Sequence, residues 1–186
     1  MVRTALPGDY FLIASPEGDE LRRVLELQRE VAEAVGGQIV DDIHLTLQRF
    51  EIANPSMEDA TVDAIAGAVA DQKPPDVIAS RLFTSLHRYF NRNSIRWDIE
   101  STQDLGRLTL LTAQAIMHVG GKSHWPNADA PIAQFMTAVW TDAEAVIPDP
   151  VLKTYPKRIM GVSRLIVTCL EEQGTFRTVR EIRIGH

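Results

Sequence analysis

Apolar positions along the chain alternate in some stretches and recur at helical spacing in others, and these changes of period mark out its elements. Tyr10-Phe11-Leu12-Ile13-Ala14 is a short apolar run closed by Ser15-Pro16, which predicts a strand. From Asp19 to Val35 the apolar residues Leu21, Val24, Leu25, Leu27, Val31, Ala32 and Val35 form a helical stripe, with Asp19 as N-cap and Gly36-Gly37 as the stop. Residues 43–50 alternate as a strand, and an Ala-rich helix over 58–71 lies between Pro55-Ser56 and Pro74-Pro75. Strands are predicted at 77–90 and 95–99, joined by the turn Asn91-Arg92-Asn93-Ser94.

The second half repeats this order loosely. A helix is predicted over 103–119, stopped by Gly120-Gly121, followed by a polar loop with Pro126-Asn127 and a strand over 132–140. After Pro148, Pro150 and Pro156, residues 160–170 and 176–184 read as a hairpin pair around Glu171-Glu172-Gln173-Gly174. Both periods occur in each half, which predicts one domain over 1–186 made of two mixed α/β lobes sharing a core.

Composition narrows the class. The 186 residues are 45% hydrophobic and 24% charged, as in a globular domain large enough to fold without staples. The single cysteine, Cys169, allows no internal disulfide and lies in an apolar run, where a buried, inert thiol is expected. The N-terminus lacks the apolar stretch of a signal peptide and no run is long enough to span a bilayer, so a cytoplasmic location is expected, with no membrane partner. A net charge of −6 argues against long nucleic acid as a partner. The charge is uneven: residues 81–96 hold four arginines and no acid, and 153–183 hold seven basic side chains against three acidic. Two basic segments in an acidic shell suit a local anion site.

The chemistry sits in Asp42-Ile43-His44-Leu45-Thr46-Leu47-Gln48-Arg49-Phe50. On a strand His44 and Thr46 share one face, with Leu45 and Leu47 on the other. An imidazole moves a proton near neutral pH and a hydroxyl donates to a phosphate oxygen. Alone, His-x-Thr is also what a polar edge strand would show.

The segment "IHLTLQRF", together with "YFLIAS", "SIRWDIE", "DLGRLTLLTAQAI" and the closing "IMGVSRLIVTCLEEQGTFRTVREIRI", resembles the two-histidine (2H) phosphoesterase superfamily. The nearest group is the 2'-5' RNA ligase and RNA 2',3'-cyclic phosphodiesterase family. The resemblance implies an α+β fold of two pseudo-symmetric lobes, with antiparallel-rich sheets around a central groove. It implies that each lobe presents one His-x-Thr strand, with one histidine activating water and the other protonating the departing ribose oxygen. The two hydroxyls hold the phosphate, and no metal or other cofactor takes part.

The second motif departs from that pattern. Matching Trp140 to Phe50 sets Gln134 against His44 and Met136 against Thr46, and anchoring on Pro131 sets Ile132 and Gln134 there instead. Neither register supplies a histidine. Gln134 is then a substrate contact on the groove, and Trp140, of the same strand parity, a stacking surface for a base. Arg88 and Arg96 are candidate phosphate contacts, whereas Arg49 points away from Thr46 if its strand is regular. His124 is a substitute acid–base group, His87 a weaker one, and His118 a helix-terminal cation.

Three readings stay open. One is a phosphoesterase using His44 and Thr46 on a 2',3'-cyclic phosphate or a 2'-5' linkage, with activity weakened by the missing motif. Another is an inactive member of the fold that binds a phosphorylated nucleotide or RNA end. The last is an unrelated domain with an accidental His-x-Thr.

Overall fold

A computed structural model describes residues 5–87, 91–124 and 134–185. The chain runs β1 (Tyr10–Ala14), α1 (Gly18–Val35), β2 (Gln38–Ile39), β3 (Leu45–Glu51), a 3-10 turn (Pro55–Met57), α2 (Glu58–Val69), β4 (Asp76–His87) and β5 (Arg92–Ile99). It continues with α3 (Gln103–His118), β6 (Lys122–Ser123), β7 (Gln134–Thr141), α4 (Asp149–Leu152), β8 (Lys157–Gly161), β9 (Arg164–Leu170) and β10 (Phe176–Arg183). The fold is α+β, with two five-stranded antiparallel sheets ordered β10-β9-β1-β3-β6 and β2-β7-β5-β4-β8.

The two sheets are built alike. The order strand, helix, short strand, strand occurs as β1-α1-β2-β3 and again as β5-α3-β6-β7. In each repeat the short strand crosses over: β2 pairs with β7 of the other repeat, and β6 pairs with β3. Neither two-residue strand was predicted, because a period of two needs more than two residues to show.

Helix α1 buries Val24, Leu27, Gln28 and Val31, the spacing of one helical face. Its N-cap is Glu17 rather than Asp19, which lies instead in the first turn, where an acid suits the helix dipole. The helix stops where Gly36 takes φ 70 and its N–H reaches the Ala32 carbonyl. In α3 the cap is Thr102, whose side chain accepts from the Leu105 N–H at 3.3 Å.

A continuous core spans both sheets, from Leu12, Leu45 and Leu47 through Val62 and Ile65 to Trp97, Met136 and Ile159. Cys169 lies in it, 8% exposed, as expected of an inert thiol. The stretch 160–170 is not one strand. It breaks after Gly161, so that β8 joins β4 in one sheet while β9 joins β1 and β10 in the other. Gly161 and Ser163-Arg164 mark the break, but a brief polar interruption reads equally as the exposed side of one strand. No described helix is long and apolar enough to cross a membrane.

Candidate functional site

A groove of about 510 Å³ lies between β3 and β7. His44, the residue just before β3, and Thr46 of β3 line it from one side, Phe135, Thr137 and Trp140 of β7 from the other, with Asp41, Asp42 and Phe176 also among its lining residues. Its walls are set by a matched pair of bulges. Opposite β1, Leu12 faces Gln48 and Ile13 faces Thr46, which leaves Leu47 as an extra residue in β3. Opposite β5, Arg96 faces Thr137 and Ile95 faces Val139, which leaves Ala138 as an extra residue in β7. Each bulge follows a groove-facing threonine directly, and each reverses the alternation of the residues beyond it.

This pairing overturns both expected registers of the second strand. Directly opposed residues share a face. Phe135, Thr137 and Trp140 therefore lie with Asp98, Arg96 and Ser94, while Gln134 and Met136 lie with the core residues Ile99 and Trp97. Gln134 is 8% exposed and donates to the Thr109 hydroxyl at 3.5 Å, away from the groove. Trp140 does line the groove, but not through the parity of Gln134; the bulge brings it there. The counterpart of His44-x-Thr46 is Phe135-x-Thr137, and the counterpart of Trp140 is Arg49. The missed signal is a single residue of register: anchoring Trp140 on Phe50 assumed two regular strands.

The same irregularity corrects the orientation of Arg49. Phe11 opposes Arg49 and Ile13 opposes Thr46, so Arg49 shares the face of Thr46. It is buried, however, and its charge is taken by Asp9, with Nε and Nη2 donating to Oδ2 at 3.1 and 2.5 Å.

His44 is exposed, and its Nδ1 lies 2.7 Å from the Asp42 carbonyl oxygen. A carbonyl only accepts, so Nδ1 carries the proton in the neutral ring and Nε2 is left to exchange one. Across the groove Phe135 is 42% exposed, and beneath its ring lies the Arg96 guanidinium, 4.4 Å from the ring centroid. Arg92 lies against Trp140 in the same way at 5.5 Å and donates to the Gln38 side chain at 2.7 Å.

The other candidates separate. His124 packs against the end of β3, its N–H donating to the Arg49 carbonyl at 2.8 Å and its Nε2 lying 3.0 Å from Glu51 Oε1. It is not among the groove-lining residues, so the geometry does not make it a stand-in for the second histidine. Asp9, Glu51 and His124 bring ligand atoms within 4.8 Å of one another, but the Arg49 guanidinium already sits on Asp9, and a resident cation opposes a metal ion there. His118 ends α3 and is exposed. His87 ends β4, opposite Arg92. Arg88, Trp125 and Ile132 lie outside the described residues. Trp97 is wholly buried and donates to the Tyr155 hydroxyl at 2.7 Å, a core role.

No family model matches the sequence, and no curated protein does. Solved structures match over nearly the whole chain. Escherichia coli LigT complexed with 3'-AMP is 13% identical, with a TM-score of 0.59 over 97% of this chain and 100% of that one. A protein of Thermus thermophilus is 15% identical, with a TM-score of 0.60 over 95% of this chain and 97% of that one. The MHV ns2 PDE domain is 12% identical, with a TM-score of 0.51 over 97% and 100%. Likeness at these identities carries the fold alone: the chain has a LigT-like fold.

Proposed function

We propose that the groove binds the phosphate of a nucleotide or RNA end and turns it over slowly or not at all. The observation that carries this is the residue at the place of the second histidine, Phe135, two before the retained Thr137. Opening a 2',3'-cyclic phosphodiester requires water to attack phosphorus while a base takes its proton. The bond from phosphorus to a ribose oxygen then breaks as an acid protonates that oxygen. His44 can serve as one of these two groups. A phenyl ring can serve as neither, and losing one such partner costs on the order of 10²–10⁴-fold in rate.

What remains suits binding. Thr46 and Thr137 offer hydroxyls from opposite walls, His44 offers an imidazole, and Phe135 and Trp140 offer ring faces for a base. Nucleotide complexes of the LigT fold, with 3'-AMP and with ATP, support a ligand of this class.

The test is calorimetric titration of the protein with adenosine 2',3'-cyclic monophosphate, with the product followed by phosphorus NMR. Binding that weakens in a Thr46→Ala/Thr137→Ala variant, with little turnover, is the expected result. Fast hydrolysis abolished by His44→Ala would show that one histidine suffices and would overturn the binding reading. No binding of any phosphorylated nucleoside would remove it altogether.

A further inference from the structure

Arg96 is an unusual arginine. It stands directly opposite Thr137 in the strand pairing, on the same face of the sheet, yet it is only 6% exposed and lies behind the groove-lining residues Phe135 and Thr137 rather than among them. Among the described residues its contacts are the Ser94 hydroxyl, which accepts from Nε at 3.0 Å, and the Phe135 ring above it. No carboxylate among the described residues pairs with it. Among the described residues, buried Arg49 is neutralised by Asp9 and half-buried Arg158 by Glu20 and Asp76, whereas half-buried Arg92, like Arg96, has only a ring and a neutral oxygen, those of Trp140 and Gln38. A buried guanidinium without a counter-anion is costly, and an anion that reaches it recovers part of that cost. Burial alone holds the Arg96 guanidinium below its ordinary pKa, with no acid to oppose the shift.

We propose that Arg96 supplies the fixed positive charge for the phosphate of a nucleotide seated against Thr137, in the half of the groove that lacks a histidine. Paired strand positions set their Cβ atoms about 4.5–5.5 Å apart, so a guanidinium and a hydroxyl from this pair can grip one phosphate. The Phe135 ring lies over one face of the guanidinium, 4.4 Å from ring centroid to Cζ. A guanidinium keeps its proton at neutral pH, so this half of the groove attracts an anion without exchanging a proton with it. The acids Asp41 and Asp42 border the His44 end, and Arg92 and Arg96 lie behind the β7 end, where the nearby acid Asp98, opposite Phe135, is paired with Arg81.

This inference rests on the phosphate-binding reading above, and the experiment keeps the two apart. The Nε–H resonance of Arg96 is followed in the 15N-labelled protein during titration with adenosine 3'-monophosphate and, separately, with adenosine. Affinities are measured for the wild type, Arg96→Gln and the charge-retaining Arg96→Lys. The expected result is a shift of the Arg96 signal with the nucleotide and none with adenosine. Arg96→Gln should lose at least about tenfold in nucleotide affinity, with Arg96→Lys in between. A wild type that binds the nucleotide with the Arg96 signal unmoved overturns the inference and leaves the phosphate-binding reading standing. A wild type that binds no phosphorylated nucleoside overturns both. The wild-type titration decides even if Arg96→Gln fails to fold.

Discussion

Phe135 at the start of β7 corresponds to His44 just before β3: each stands two residues before a groove-facing threonine, and a one-residue bulge follows each threonine. The correspondence runs on through Thr46 with Thr137, Leu47 with Ala138 and Arg49 with Trp140. One half of the groove thus keeps an imidazole, and the other holds a ring lying on a buried guanidinium.

Phe135→His should therefore create chemistry. The ring is 42% exposed, so an imidazole fits without repacking the core. A second proton-transfer group contributes on the order of 10²–10⁴-fold, and a gain of that order in hydrolysis of a 2',3'-cyclic nucleotide is expected. Arg96 below the ring disfavours an imidazolium at 135, so the new residue acts more readily as base, with His44 as acid. The gain should vanish when His44→Ala is added. No gain in a folded variant would mean that the two positions do not face one phosphorus.

Much of this was legible in the sequence, and the remainder was hidden for a physical reason. The strand at Tyr10–Ala14 and helices α1 and α3 follow from apolar spacing and Gly stops, and α2, placed before Pro74-Pro75, ends two residues earlier than expected, because long amphipathic segments repeat their signal but their ends do not. His44 and Thr46 were legible as a pair because they precede their bulge. Arg49 and Gln134 were misplaced because a bulge adds one residue without changing composition, and one residue exchanges the two faces of a strand. The short strands β2 and β6, which tie the repeats together, leave no periodic trace at all.

The buried pair Asp9–Arg49 should be costly to break on one side only. Its side chains are 2% and 6% exposed, and Asp9 Oδ2 also accepts from the Leu6 N–H at 2.8 Å. Arg49→Met strands a carboxylate in a dry site and should cost about 3–5 kcal/mol, read as a fall in the urea midpoint. The double change Asp9→Asn/Arg49→Met should recover part of that loss. A single variant as stable as the wild type would mean that water reaches the pair.

Acid should loosen the contacts made by Glu20 and Glu58. Hydrogen bonds from Arg158 hold Glu20 below its ordinary value of 4.5, and Arg177 does the same for Glu58. A carboxylate whose folded-state pKa is depressed contributes stability that is present above its unfolded value and lost as pH falls through the folded one. The melting temperature should therefore decline as the pH drops below about 4.5. Glu20→Gln should flatten part of that decline, and an acid limb identical to that of the wild type would assign the loss to other groups.

Gly37 and Gly121 hold equivalent places, each just past a helix stop and against a strand of the other repeat. A Cβ on Gly37 would meet the Trp140 carbonyl oxygen at 2.9 Å and a Val139 methyl at 3.1 Å; one on Gly121 would meet Ile116 Cγ2 at 2.8 Å and the Glu51 carbonyl at 3.3 Å. Backbone cannot give way cheaply, so Gly37→Ala and Gly121→Ala should each destabilise by about 1–3 kcal/mol. Their other consequences should differ. Gly37→Ala pushes on β7 at Trp140 and should weaken nucleotide binding beyond its effect on stability, whereas Gly121→Ala pushes on the far end of β3, beyond the groove, and should not. Calorimetric titration of both folded variants at a temperature well below melting separates the two effects; equal losses of affinity would mean that Trp140 contributes nothing specific to the ligand.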